Sequence, residues 1–232
     1  MTTDTEKNMN PFGLCTWDEQ SDCENCKDKN LLFCKFDQSI LTAFIMLFLP
    51  FFVASFFSLV IVGVVTHVWW FLILDIVLFL AIFGFIETGV LCRHCPYYSR
   101  PGTNLKCLAD NGCFRIWKYN PKPLHKWEQA TMYVYYVVLT LISVGGTAYG
   151  IWFIASQPQT YGNAALLPMI ALLVIIIISI ASFLICLKIY VCSRCVNFSC
   201  PFNGVEKPVV DEFLRQNPVM REAWEETGYK LG

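Results

Sequence analysis

The chain has 232 residues, 56% of them hydrophobic and 15% charged, with 12 cysteines and a formal net charge of −1. So large an apolar share exceeds what one soluble core of this length takes up, which excludes an ordinary soluble domain in favour of a membrane protein. A near-neutral charge without a long basic run gives no reason to expect nucleic acid as a partner.

Residues 1–39 read as a polar arm. It carries Lys7, Lys27, Lys29 and Lys35, and four cysteines, Cys15, Cys23, Cys26 and Cys34, in the symmetrical spacing Cys-x7-Cys-x2-Cys-x7-Cys. It has none of the charged, apolar and small-residue regions of a cleavable signal peptide. An arm this short and polar cannot bury enough apolar surface to fold alone, and a metal is the usual remedy. The quartet is therefore a candidate metal site, the second of three. Trp17, Leu31, Leu32 and Phe33 give such a knot something to pack.

Four apolar runs follow, at 40–65, 68–91, 131–155 and 164–190, each longer than the roughly 20 residues that cross a hydrocarbon core of about 30 Å. They divide the chain into a first helix pair (40–91), a cysteine-containing loop (92–130), a second helix pair (131–190) and a tail (191–232). All 17 Lys and Arg fall on one side of these spans, whereas the opposite connections, at Thr66 and His67 and at 156–163, hold none. The positive-inside rule then predicts both termini in the cytoplasm, with the plasma (inner) membrane the favoured location. Trp69, Trp70, Trp152 and Tyr161 mark the outer headgroup level, and Trp117, Trp127, Tyr133 and Tyr190 the inner one. Every cysteine except Cys186 shares the basic side. Thiols are kept reduced there, which disfavours a disulfide scaffold and points to metal ligation.

The chain also repeats itself. After the second span it reads Cys92-Arg-His-Cys95-Pro-Tyr-Tyr98-Ser99-Arg-Pro101, and after the fourth Cys192-Ser-Arg-Cys195-Val-Asn-Phe198-Ser199-Cys-Pro201, an offset of 100 residues. Each unit is a helix pair followed by a Cys-x2-Cys turn, so both copies share one orientation and relate by an axis along the membrane normal. The expected fold is an all-α integral membrane protein: four transmembrane helices as two parallel-related helix-pair repeats, with a cysteine-rich cytoplasmic head. That axis brings the two turns together, and Cys92, Cys95, Cys192 and Cys195 become the first candidate site, since four thiolates suit tetrahedral Zn or an Fe–S centre. Cys107, Cys113 and Cys200 form a possible third, with His94 and His125 available as a fourth ligand but read as surface or interface histidines. Cys192-x2-Cys195-x4-Cys200-Pro201 lacks the packed run that makes a ferredoxin motif specific, so no family is read from it.

Polar groups inside the spans are few. Asp75 has no basic residue at its depth and needs a hydrogen-bond partner or a cavity. Glu87 is expected to be neutralised by Lys188, and Cys186 to be a core thiol. Pro50 should kink the first span, while Gly145, Gly146 and Gly150 give the third a small face for close helix contact. In the tail, 209–215 reads as an amphipathic turn, and Asn217-Pro218 starts a helix with Asn as cap. Its stripe of Val219, Met220, Ala223 and Trp224 should cover the cysteine cluster or a protein partner.

The leading functional expectation is a membrane-embedded metal-binding protein with cytoplasmic Cys-thiolate centres, most simply Zn, that fold the head and present a docking surface to a protein partner. An Fe–S electron-transfer subunit and a soft-metal transporter or sensor using Asp75 are the alternatives. No phosphate-binding loop, nucleophile elbow or HExxH occurs, and an enzyme is not expected.

Overall fold

A computed structural model describes residues 10–232; Lys7 lies outside the described residues. Secondary structure among them is helical, without a named strand: α1 Gln38–Thr66, α2 Trp70–Ala81, α3 Lys126–Ser156, α4 Pro158–Cys186, α5 Lys207–Gln216 and α6 Pro218–Glu225. Four stretches are long and apolar enough to cross a membrane, Gln38–Thr66, Trp70–His94, Lys126–Ser156 and Ala164–Arg194. They overlap the four apolar runs of the sequence. The chain divides into two compact units: Thr42–Ile82 with Tyr133–Ile185, and the remainder, built from the chain up to Leu41, Phe83–Met132 and Cys186–Gly232.

In the first unit, small residues set the helix spacing. A Cβ on Gly146 would sit 2.6 Å from Leu59 and 3.1 Å from Phe71, and one on Gly150 would sit 2.6 Å from Val62 and 3.0 Å from Met169. Both glycines therefore let α3 approach its neighbours as closely as the small-xxx-small spacing implies. Gly145 faces open space and takes no part. Polar side chains pair between helices: the Ser58 and Thr147 hydroxyls are 2.7 Å apart, and Ser143 donates to Asp75 at 3.1 Å. The partner Asp75 needs is thus a hydroxyl on α3. Helical backbone persists through Pro50, and the break falls instead at Gly162 of α4, whose φ of 68° leaves the helical region. Large apolar side chains along all four stretches remain exposed, compatible with contact to lipid.

The second unit has a core shared by segments far apart in sequence. Leu14 and Leu32 of the arm, Tyr97, Tyr98, Leu105 and Tyr119 of the loop, and Phe213, Leu214, Met220 and Trp224 of the tail are all buried in one cluster. The arm therefore gains order by joining a larger core, a route that a 39-residue window conceals. Trp17 packs edge-on against Tyr97 and donates its indole N–H to the Pro96 carbonyl at 3.0 Å, whereas Leu31 stays exposed. In the tail, Met220, Ala223 and Trp224 are buried as the stripe requires, while Val219 is exposed.

Two local features recur at the 100-residue offset. α2 runs into a π-helix, Ile82–Leu91, and α4 into a shorter one, Leu187–Val191; each is followed by a 3-10 turn, Cys92–His94 and Cys192–Arg194. Backbone angles agree closely: Leu91 is at φ −94°, ψ −54° and Val191 at −94°, −53°, then Cys95 is at −83°, 136° and Cys195 at −77°, 131°. The copies diverge after that point, where Pro96–Ser99 forms another 3-10 turn and Asn197 instead reaches across to donate to the Leu91 carbonyl at 3.2 Å.

The tail closes on Asp211, which is buried and accepts hydrogen bonds from Lys207 at 2.5 Å, Tyr229 at 2.7 Å and the Gly232 amide at 3.0 Å. Burial alone would raise its carboxyl, but these donors outweigh burial and hold it below the usual range. A depressed folded-state value stabilises the fold above the unfolded-state value of about 3.9, and that contribution is lost as pH falls through the folded one. Asp211→Asn is expected to flatten the acid limb of the melting temperature below about pH 5 and to leave the neutral-to-alkaline limb parallel to wild type. Thermal unfolding across pH checks this, and an unchanged acid limb would count against the network.

Candidate metal centre

The arm cysteines converge. Cys15, Cys23, Cys26 and Cys34 all line one cavity of about 290 Å³, together with Asp22, Asp28, Phe213 and Gln216. Local turns bring them there: the Lys29 amide donates to the Cys26 carbonyl at 3.1 Å, the Leu31 amide to the Asp28 carbonyl at 3.0 Å, and Asn30 between them takes the left-handed φ of 65°. Lys35 ties the first loop down, donating to the carbonyls of Cys15 at 2.9 Å and Asp18 at 2.7 Å and to the Ser21 hydroxyl at 3.1 Å. Burial pushes the Cys15 thiol up, against the Asn217 hydrogen bond and the Lys35 charge. Burial, followed by Cys15, Cys26, Asp28 and Cys23, pushes Cys34 up to about 12. Asp28 is buried in the same wall, and its Oδ2 has no hydrogen-bond partner among the described residues. Burial and then the nearby Glu212 raise its carboxyl. A buried carboxylate oxygen without a partner is costly.

The remaining thiols gather in the same unit, in an arrangement that only partly follows the symmetric pairing of the sequence. Cys195 is the common neighbour, within electrostatic reach of Cys95, Cys107, Cys192 and Cys200. One thiol from each Cys-x2-Cys turn, Cys95 and Cys195, thus lies within electrostatic reach of Cys107 and Cys200 of the third candidate set. Cys92 turns elsewhere and donates to Asp110 Oδ2 at 3.1 Å, with Cys107 and Glu87 nearby. Cys113 is close to Asp110 and Glu87. Burial, then Asp110, pushes Cys107 up to about 12, and burial raises Cys95, Cys195 and Asp110 as well. Among the described residues, no group of three or more His, Cys, Asp or Glu side chains is spaced to hold a metal ion as it stands.

No protein family matches the chain, and neither does any curated protein or solved structure. Function has to be argued from these side chains alone.

The histidines take no part in the thiol cluster. His94 is buried, accepts from Arg93 Nε at 3.2 Å through Nε2, and meets the Lys122 carbonyl through Nδ1, so both ring nitrogens are engaged. Lys188 donates to the Phe202 carbonyl at 3.3 Å. Glu87 is within electrostatic reach of Cys92, Cys113 and Cys200. Cys186 is half-buried. The residues that sequence reasoning missed are Asp110, Asp28 and Asn217. Asp110 sits between Cys107 and Cys113, a position that could have flagged it as a possible oxygen ligand.

Proposed function

We propose that this is a membrane-embedded metal-binding protein whose Cys-thiolate centres, most simply Zn, lie in a cytoplasmic head and serve a structural and partner-docking role. The observation that carries the reading is the arm cavity, which Cys15, Cys23, Cys26 and Cys34 all line, with Asp28 in the same wall. Four thiolates suit tetrahedral Zn, which contributes folding energy by tying together the turns of a short, polar segment. The matched turns after α2 and α4 support descent from a duplicated helix pair related by an axis along the membrane normal. Their cluster around Cys195 is a second, thiol-rich place for a metal, with Cys92, Cys113 and Cys192 at its edge. The distribution of Lys and Arg supports cytoplasmic termini at a plasma (inner) membrane. Asp75, already held by Ser143, is accounted for as a helix-pairing residue without a transported ion.

Metal analysis with visible and paramagnetic resonance spectra of anaerobically purified protein tests the reading. Colourless protein with stoichiometric Zn is expected. A brown, reducible chromophore would replace the Zn assignment with an Fe–S cluster and an electron-transfer role. Protein that folds fully and carries no metal after anaerobic preparation in Zn-supplemented medium overturns the proposal.

A further inference from the structure

Asn217 opens α6 and is in sequence the expected cap of that helix, yet its side chain makes no capping bond. It is fully buried, and its polar atoms are spent 202 residues away: Oδ1 accepts from the Cys15 amide at 2.8 Å, and Nδ2 lies 3.3 Å from Cys15 Sγ while donating to the Phe213 carbonyl at 2.7 Å. The preceding residue also meets a sulfur of the quartet, with Cys26 Sγ 3.6 Å from Gln216 Nε2 and 3.7 Å from Gln216 Oε1. Consecutive amide side chains at the α5–α6 junction therefore meet two sulfurs of the same quartet, and a thiolate at Cys26 would take its hydrogen bond from Gln216 Nε2.

We propose that Asn217 and Gln216 are positioning donors to a Cys15/Cys23/Cys26/Cys34 metal-thiolate centre, so that metal binding clasps the amino-terminal arm to the carboxyl-terminal helix hairpin. The proposal rests on the metal-thiolate reading of the arm cavity. Its physical basis is that an N–H···S bond strengthens when the sulfur becomes a thiolate, because the acceptor then carries charge. The donors hold the sulfurs in place and share the negative charge that four thiolates bring. Outer-shell partners of this kind change metal affinity by about 10–100-fold. Cys15 is fixed twice, by backbone and by sulfur, which makes Asn217 the stronger of the two donors. Gln216 is exposed and contributes less.

Co(II) is the probe, titrated into full-length, metal-stripped protein in detergent, with the sulfur-to-cobalt charge-transfer band and the affinity for each equivalent as readouts. Asn217→Asp keeps the oxygen that accepts from the Cys15 amide but removes the N–H donor and adds charge; Asn217→Ala removes both. Each is expected to weaken one cobalt equivalent by about 10-fold or more and to shift its charge-transfer energy, leaving any other equivalent unchanged. Gln216→Ala should give a smaller shift in the same band. The near-UV signal of Trp224 reports whether the hairpin is intact, and Asn217→Asp supplies the answer if Asn217→Ala loses it. Wild-type affinity and band energy in Asn217→Asp would overturn the clasp while leaving the metal reading standing. Absence of any thiolate-to-cobalt band in wild type would overturn the metal reading itself. A full set of bands in Cys23→Ser/Cys26→Ser would overturn the assignment to this quartet.

Discussion

Glu128→Ala is expected to lower the unfolding free energy of the cysteine-containing unit by about 3 kcal/mol, the scale for removing one partner of a buried ion pair. The carboxylate is fully buried, and both of its oxygens are committed. Oε1 accepts from Arg93 at 2.7 Å and lies 3.6 Å from His94 Nε2, while Oε2 accepts from the His125 amide at 2.8 Å. It thereby caps the start of α3 three residues after His125, as the acidic member of a capping box does, and anchors the turn that carries Cys92 and Cys95. Its loss strands a guanidinium and a backbone N–H together. Arg93→Ala should cost less, because the Arg93 side chain is 30% exposed and that of Glu128 only 1%. A double-mutant cycle on thermal unfolding in detergent separates the pair from the cap: Arg93→Ala/Glu128→Ala should fall short of the sum of the singles. Strict additivity would show that the ion pair contributes nothing.

The spans were legible because their signal is local: an uncharged run longer than a bilayer is wide has few other fates. The close face at Gly146 and Gly150 was legible for the same reason. What the sequence concealed depends on contacts distant along the chain. Asn217 looks like a cap because Asn before Pro usually is one, but Cys15 competes for its side chain and wins by offering a partner to each end, its amide to Oδ1 and its sulfur to Nδ2. The symmetric pairing of Cys92 with Cys192 fails to anticipate Asp110, which comes from an irregular loop with no period to read, and which takes Cys92 aside. The π-helices after α2 and α4 were equally hidden, since the hydrophobic pattern does not register a slip of one residue in hydrogen bonding.

Phe213→Ala should be comparably damaging, at about 3–5 kcal/mol, the range for emptying a buried aromatic site. Its ring is 1% exposed, meets Phe198 edge-on at 5.1 Å between centroids, and forms part of the wall of the arm cavity. Its carbonyl also receives the Asn217 amide, so the residue supports the cavity through both side chain and backbone. Truncation leaves the backbone bond but opens a void beside the thiols. Two readouts should then move together: the melting temperature falls, and alkylation of Cys15 and Cys34, both of which Phe213 helps to shield, accelerates in metal-stripped protein. Phe213→Leu retains most of the volume and should cost less than about 1.5 kcal/mol, with alkylation close to wild type. A Phe213→Ala protein that melts lower with no change in thiol reactivity would show that the apolar core and the arm cavity are mechanically independent. If reactivity rises as stability falls, packing around Phe213 is what keeps the quartet gathered in the absence of a bound ion, and the arm is held by core first and by metal second.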